Sequence, residues 1–427
     1  MRKNTLLSLI LVLALAGCSM PKVNLPPLPF LNRVQPCPGV TLGVLMADAK
    51  TDPIAQEQND GYTLAAQEIN AAGGINGCKL TLVTALEASD ENSVQTRQAV
   101  RDLVEDGQVM AILGGTTSVA SMQAASLVNY FETPLLVPSA GGAHVLPPDN
   151  IWSFRLNAGE DAYAQQAFAM VKQELGDARS VAVIFENTTE GNDGAVAAVN
   201  AIEALGLTVN GYYPIGLGDS AIYNNLAAQV TLTRPDVFYL IFSQPLQAAD
   251  VRATLNALDK TYQPEFTIVR SGGFASEAFL TDEGAPNALA ENLIIATQWV
   301  GLKGVKDWDD FNQAFDDYTQ KEYGTSNPPS LYAIEAYKSL EIIASAAGQV
   351  LATGKASPTD VVKLRAALRE ALFAYQENSE TWGKITFSAG GQNPGEVTLV
   401  QVQNGKFVIV YPPSNAEAAP IRTGTGQ

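Results

Sequence analysis

A single histidine, His144, and only 26 basic residues against 44 acidic ones set the first limits on this 427-residue chain. One imidazole cannot build a polyhistidine metal centre, and no Ser or Cys nucleophile motif near His144 makes it a catalytic base. A net charge of −18 leaves no basic face for nucleic acid, whose phosphates need Lys and Arg. The same deficit argues against adhesion to anionic lipid. Beyond residue 16, no apolar run approaches the roughly 20 residues of a membrane-spanning helix. Gly216-Leu217-Gly218-Asp219-Ser220-Ala221 fits a dinucleotide fingerprint only formally, and a plain strand-to-helix turn reads better there. Asp307, Asp309 and Asp310 lack the glycine and terminal glutamate of a calcium loop. No cofactor and no metal is expected, and nothing here asks for an enzyme.

Cysteine is scarce too, yet each of the three is informative. Arg2 and Lys3 precede an apolar run from Leu6 to Ala16, closed by Leu15-Ala16-Gly17-Cys18. That is the pattern of a secretory signal, and its ending resembles a bacterial lipoprotein processing box in which Cys18 becomes the acylated first residue. Residues 1–17 are expected to be removed and the rest exported, tied to the extracytoplasmic face of the cell envelope by lipid alone. Pro21, Pro26, Pro27, Pro29 and Pro36 give residues 18–37 the character of an extended tether, about 3.1 Å per residue. The small, polar residues 413–427 read as a disordered tail. Cys37 and Cys78 remain, each just before an apolar run (Val40–Met46 and Leu80–Val83). If those runs are adjacent parallel strands, both cysteines reach one sheet edge. A disulfide would close a loop of about 40 residues, worth roughly 3–4.5 kcal/mol in the chain-entropy model. Two buried free thiols are the alternative.

Nearly half the residues are apolar, enough for two full cores. Short apolar runs alternate with helical patterns. Val40–Met46, Leu80–Val83, Val109–Leu113 and Pro134–Val137 form one series, and Val181–Phe185, Val209–Ile215, Val237–Phe242 and Phe266–Val269 another. Runs buried on both faces and separated by single helices imply an α/β fold of two lobes, each with a parallel sheet, split near Phe154–Gly159. Leu293–Trp299 adds a strand, Tyr332–Ala347 and Val361–Tyr375 add helices, and Asn404-Gly405 turns a final hairpin. In such sheets ligands lie beyond the carboxyl ends of the strands. There Gly114-Gly115 lets backbone approach a ligand, and Thr117 and Ser118 open a helix whose N–H groups and hydroxyls suit a carboxylate. An ordinary N-cap by Ser118 is the competing explanation.

Asp60-Gly61, Gln67-Glu68-Ile69-Asn70-Ala71-Ala72-Gly73-Gly74-Ile75-Asn76-Gly77, Ala111-Ile112-Leu113-Gly114-Gly115, Pro134 to Ala140, Arg234 to Tyr239 and Gly383 to Phe387 follow in order. With these motifs, residues 38–412 resemble the leucine/isoleucine/valine-type (type I) periplasmic binding proteins that serve ABC importers. The resemblance implies two Rossmann-like lobes joined by a three-crossing hinge and closing on a small solute. The implied division is lobe 1 at about 38–156 and 283–378, and lobe 2 at about 157–282 and 379–412. It further implies that an amino acid's carboxylate meets Ser118 and the backbone near Ser139, Ala140 and Gly141. The ammonium would meet an acidic side chain at the position of Gly272. Gly141 stands where relatives usually carry threonine, Gly272 lacks the acid, and Glu57 and Glu190 replace aromatic residues that commonly cover the ligand. Glu190 or Glu57 is therefore the expected substitute.

The function implied is capture of a small molecule, an amino acid or related carboxylate or amide, for delivery to ABC permease subunits. The alternative is an envelope sensor or partner-binding lipoprotein, similar to activators of cell-wall synthases, that reuses the fold without a solute.

Overall fold

Strand β1 (Val40–Met46) shows why its apolar run is continuous. Leu42, Val44 and Met46 enter one core while Leu45 enters the core on the opposite face, the signature of a sheet covered by helices on both sides. The computed structural model describes residues 37–88, 93–177, 179–216, 220–242, 249–260, 262–270, 277–282, 285–299, 306–379 and 381–424. The signal segment, Cys18, most of the tether, Gly272 and the centre of the Gly216–Ala221 motif lie outside the described residues.

The first lobe continues through α1 (Pro53–Ala71), β2 (Leu80–Leu86), α2 (Ser93–Arg101), β3 (Ile112–Gly114), α3 (Ser118–Phe131), β4 (Leu135–Val137) and β5 (Ser153–Arg155). Its strands run parallel in the order β2-β1-β3-β4-β5. Asp52 caps α1 by accepting from the Ala55 N–H at 2.9 Å, and Pro53 occupies the first turn where its missing N–H costs nothing. Cys37 and Cys78, brought together by the β1–β2 pairing, are disulfide-bonded with Cα atoms 5.0 Å apart.

The second series is α4 (Glu160–Leu175), β6 (Ser180–Glu186), α5 (Thr189–Ala204), β7 (Thr208–Ile215), α6 (Ser220–Thr233), β8 (Val237–Ile241), α7 (Ala249–Asp259) and β9 (Phe266–Arg270). A short pair, β10 (Thr281–Asp282) and β11 (Ala285–Pro286), leads into β12 (Ile294–Thr297). Helices α8 (Lys306–Tyr323), α9 (Leu331–Ala352) and α10 (Val361–Phe373) follow, then the hairpins β13 (Gln376–Ser379) with β14 (Gly383–Thr386) and β15 (Thr398–Gln403) with β16 (Lys406–Tyr411). The second sheet has the order β16-β15-β12-β9-β8-β6-β7 among the described residues. In β8, Val237, Tyr239 and Ile241 face one core, and Phe238 and Leu240 the other.

Three expectations are corrected. Strand β12 pairs in parallel with β9 and antiparallel with β15, so it belongs to the second lobe. Trp382, Ile385 and Phe387 join the core of the first. The second crossing therefore follows Thr297 rather than residue 282, and the third lies between Phe387 and Val397 rather than at 378. The tail is ordered over residues 413–424. Gln401, fully buried, needs partners for its amide; it accepts from the Ile421 N–H at 2.7 Å and donates to the Ile421 carbonyl at 2.8 Å. Finally, β5 is a fifth strand that the sequence pattern had left as a lobe boundary.

The three crossings lie side by side and are laced by amide side chains. Gln298 accepts from the Ala158 N–H at 2.9 Å, Asn393 donates to the Leu156 carbonyl at 2.9 Å, and Gln392 donates to the Asn157 carbonyl at 2.9 Å. Helix α9 returns to the first lobe and lies along α1. Gly61 permits this closeness, because a Cβ there would be 2.2 Å from the Ala333 carbonyl oxygen. That contact carries the first residues of α9 to the cleft.

Candidate functional site

Helix α3 starts where β3 ends, and its two opening hydroxyls divide the work. Thr117, not Ser118, is the N-cap, its hydroxyl oxygen accepting from the Ala120 N–H at 3.2 Å. The Thr116 and Thr117 N–H groups and the Thr117 hydroxyl donate to the Glu87 carboxylate at 2.9–3.1 Å. The positive end of α3 thus holds the chain's own carboxylate. Burial pushes Glu87 up to about 7, against these bonds. Ser118 is freed for the cleft: it is buried, accepts from the Gly142 N–H at 3.2 Å, and donates to Glu190 across the lobes at 3.4 Å. Glu190 is the second residue of α5, two after Thr188, whose hydroxyl caps that helix. Asp193 on the same helix accepts from the Ala143 N–H at 2.9 Å, a second bridge between lobes.

Arg270 leaves the end of β9 and is the central charge of the second lobe's wall. Its Nη2 lies 2.6 Å from Glu160 Oε1 and its Nη1 3.3 Å from Glu190 Oε1, with the Tyr163 ring 4.5 Å beneath the guanidinium. Arg270 and Glu160 have side chains only 3% and 2% exposed. Burial opposes the Arg270 charge, but Glu160 and Glu190 outweigh it and hold the guanidinium charged. This pair explains Gly141: a Cβ there would stand 2.2 Å from Glu160 Oε1 and 2.5 Å from Arg270 Nη2. The space a larger residue would fill is taken. Arg155, at the end of β5, fixes the loop by donating to the Gly141 and Gly142 carbonyls at 3.0 and 2.8 Å.

The first lobe's wall is a buried polar chain. Thr116 donates to Gln58 at 2.8 Å, and Gln58 donates to the Ser139 hydroxyl oxygen at 3.3 Å. Beyond Ser139 lies Glu335 in the second turn of α9, with no exposed surface, receiving Asn157 Nδ2 at 2.7 Å. Burial pushes Glu335 up to about 8, with Ser139, Arg270 and Asn157 opposing. Glu57 on α1 is bonded by the Ser330 hydroxyl, and burial raises it to about 7.

Of the residues expected from sequence, Ser118, Ser139, Gly141 and Glu190 meet in the cleft. Thr117 turns to Glu87, Ala140 packs into the first lobe's core, and Glu57 lies against the start of α9. Glu190 is already engaged by Ser118 and Arg270 rather than standing open. Gln58, Thr116, Asn157, Glu160 and Glu335 were not anticipated. Glu335 carried one signal, an acid within the apolar stretch Leu331-Tyr332-Ala333-Ile334-Glu335-Ala336-Tyr337. Among the described residues no group of His, Cys, Asp and Glu is placed to hold a metal ion, and no helix is long and apolar enough to cross a membrane.

A family model described as periplasmic binding protein matches residues 40–406. The Leu/Ile/Val-binding protein homolog 7 of Brucella abortus (strain 2308) is 24% identical over 379 residues, covering 85% of this chain and 88% of its own length. An ABC transporter substrate-binding protein from Desulfitobacterium hafniense, solved in complex with Leu, has a TM-score of 0.67 at 21% identity, covering 87% of this chain and 99% of that one. A solute-binding protein of an ABC transporter from R. palustris, solved in complex with benzoate, has a TM-score of 0.68 at 17% identity, covering 91% and 98%.

Proposed function

The chain belongs to the periplasmic binding protein family, and from that premise we propose that it is an exported lipoprotein receptor. Its two lobes close on a small molecule, an amino acid or related carboxylate or amide, and deliver it to the permease subunits of an ABC importer. Cys18 carries the lipid, residues 18–37 lift the body from the envelope membrane, and the protein binds without catalysing. The observation that carries the reading is the meeting of Ser118 and Glu190 across the cleft: a buried polar contact between lobes, bordered by the Gly142 N–H and Ser139, is where a solute's polar groups are exchanged for the protein's own. Relatives of similar fold were solved with Leu and with benzoate, which supports a small organic solute.

The test is a thermal-shift screen of the full chain, refolded to strip carried ligand, against amino acids, amides and small carboxylates. A solute at 100 times its Kd adds about 2.7 kcal/mol. Ser118→Trp should erase the shift, and an unchanged shift removes Ser118 from the site. One observation favours the partner-binding alternative: the cleft donors Ser118, Thr116 and Thr117 already hold Glu190 and Glu87. Silence across the panel would favour that alternative.

A further inference from the structure

The polar chain of the first lobe has a direction. The Thr116 hydroxyl spends its proton on Gln58, and the Gln58 amide spends one on Ser139 Oγ. Ser139 is thereby left with its own proton for the far side, where Glu335 is its neighbour. Glu335 is the terminal acceptor. Its Oε1 is filled by Asn157, whereas its Oε2 has no hydrogen-bond partner among the described residues. Asn157 Oδ1, the acceptor left when that amide donates, is also without one. Two buried acceptor atoms on one wall, Glu335 Oε2 and Asn157 Oδ1, with the Ser139 hydroxyl the further donor beside Glu335, are costly unless something supplies N–H groups.

No hydrogen bond from the opposite wall reaches either acceptor among the described residues. Arg270 is ion-paired through Nη2 with Glu160 and through Nη1 with Glu190, and only its Nε is left without a partner among the described residues. Glu57, Glu160, Glu190 and Glu335 together outnumber Arg155 and Arg270 around the cleft. Once Glu335 is ionised, a ligand carboxylate there adds repulsion, while an ammonium brings three donors and the opposite charge.

Building on the solute-receptor reading above, we infer that Glu335, oriented by Asn157, reads a cationic amine or guanidinium group of the solute. The cation is thus recognised from the first lobe, by the helix that α1 and Gly61 bring to the cleft.

The experiment compares the full chain, stripped of ligand, with two sets of probes by thermal shift and calorimetry. One set is the twenty amino acids with putrescine and agmatine; the other is benzoate, isovalerate and succinate. The expected result is binding within the first set and none in the second, with Glu335→Gln weakening the bound amine at least about tenfold. Glu335 must ionise to take the cation, and it is faced by Arg270 from β9, Glu190 from α5, Tyr163 from α4 and Tyr62 from α1, with Asn157 and Ser139 beside it. With its carboxyl at about 8, amine affinity should rise roughly fiftyfold from pH 6 to pH 8 in the wild type. In E335Q it should be flat. Binding of an amine-free carboxylate without any amine overturns the inference and leaves the receptor reading standing. An amine bound equally by E335Q, or a flat wild-type pH profile, overturns the assignment to Glu335. The flat wild-type profile overturns it even if E335Q does not fold, and a rise that persists in E335Q overturns it in favour of another acid titrating near 7, such as Glu57. Silence from every probe overturns both readings.

Discussion

Replacing Gly141 by alanine should damage the protein through the Glu160–Arg270 pair. The added Cβ would lie 2.2 Å from Glu160 Oε1 and 2.5 Å from Arg270 Nη2, against the roughly 3.5 Å that carbon contacts require. Side-chain ends can usually swing aside, but these two are 3% and 2% exposed and held 2.6 Å apart. They can yield only by separating. Disrupting a buried ion pair costs about 3–5 kcal/mol, because each charge keeps its desolvation penalty without its partner. With an unfolding entropy of about 2.1 cal/mol/K per residue, the unit from Cys37 to Gln427 has about 0.8 kcal/mol/K in all, so Tm should fall by roughly 4–6 °C. Gly348→Ala, inside α9, is the control, since its Cβ meets nothing nearer than 3.9 Å and should cost much less. Thermal unfolding followed by circular dichroism measures both. A Gly141→Ala protein within 1 °C of wild type would refute the claim that the pair fills this space.

Two further outcomes follow from the same physics. Cys37→Ser with Cys78→Ser opens a loop of sequence separation 41, for which the chain-entropy model gives about 4 kcal/mol. Urea unfolding should show that loss, and an unchanged midpoint would mean that the unfolded chain is not restrained by this bond. The buried carboxyls Glu57, Glu87 and Glu335 lie at about 7, 7 and 8, above the ordinary value near 4.5, so the folded protein binds protons that the unfolded chain releases. Their stabilising effect is complete below about pH 4.5 and is lost as pH rises through 7 to 8. The unliganded Tm should therefore be higher at pH 6 than at pH 8.5, by an amount on the order of 5 kcal/mol in stability, and a Tm that rises with pH would contradict it.

The lobes were legible because strands covered on both faces write themselves as unbroken apolar runs. β1 matches its run to the residue, and β6, β8 and β9 agree within one or two. Sheet membership was not legible. The run around Ile294 looks like any other, and only its pairing with Ile268 and Gln401 assigns it to the second lobe. β5 is a Ser-Phe-Arg tripeptide with no strand signature. It exists because Leu135–Val137 offers it a parallel edge. The tail misled through composition: its polarity is real, yet its order comes from the buried Gln401 amide, more than ten residues away.

The same distinction runs through the site. Features set by the local backbone could be anticipated, such as hydroxyls at the exit of β3 and glycines beside them. Even there the adjacent pair Thr117–Ser118 exchanged roles, since the residue with extended geometry takes the cap and the next is helical. Features set by distant elements could not. Glu160, Arg270 and Glu335 come from α4, β9 and α9, and they converge only because the crossings lie side by side and α9 returns along α1. A carboxylate is costly inside a protein unless something pairs with it. Glu160 has Arg270, Glu87 has the N–H groups at the start of α3, and Glu57 has Ser330. Glu335 retains an open oxygen. Glu160 Oε2 is open too, but its carboxylate is neutralised by Arg270 at 2.6 Å, whereas Glu335 has no ion pair among the described residues and is the acid a cationic solute would complete.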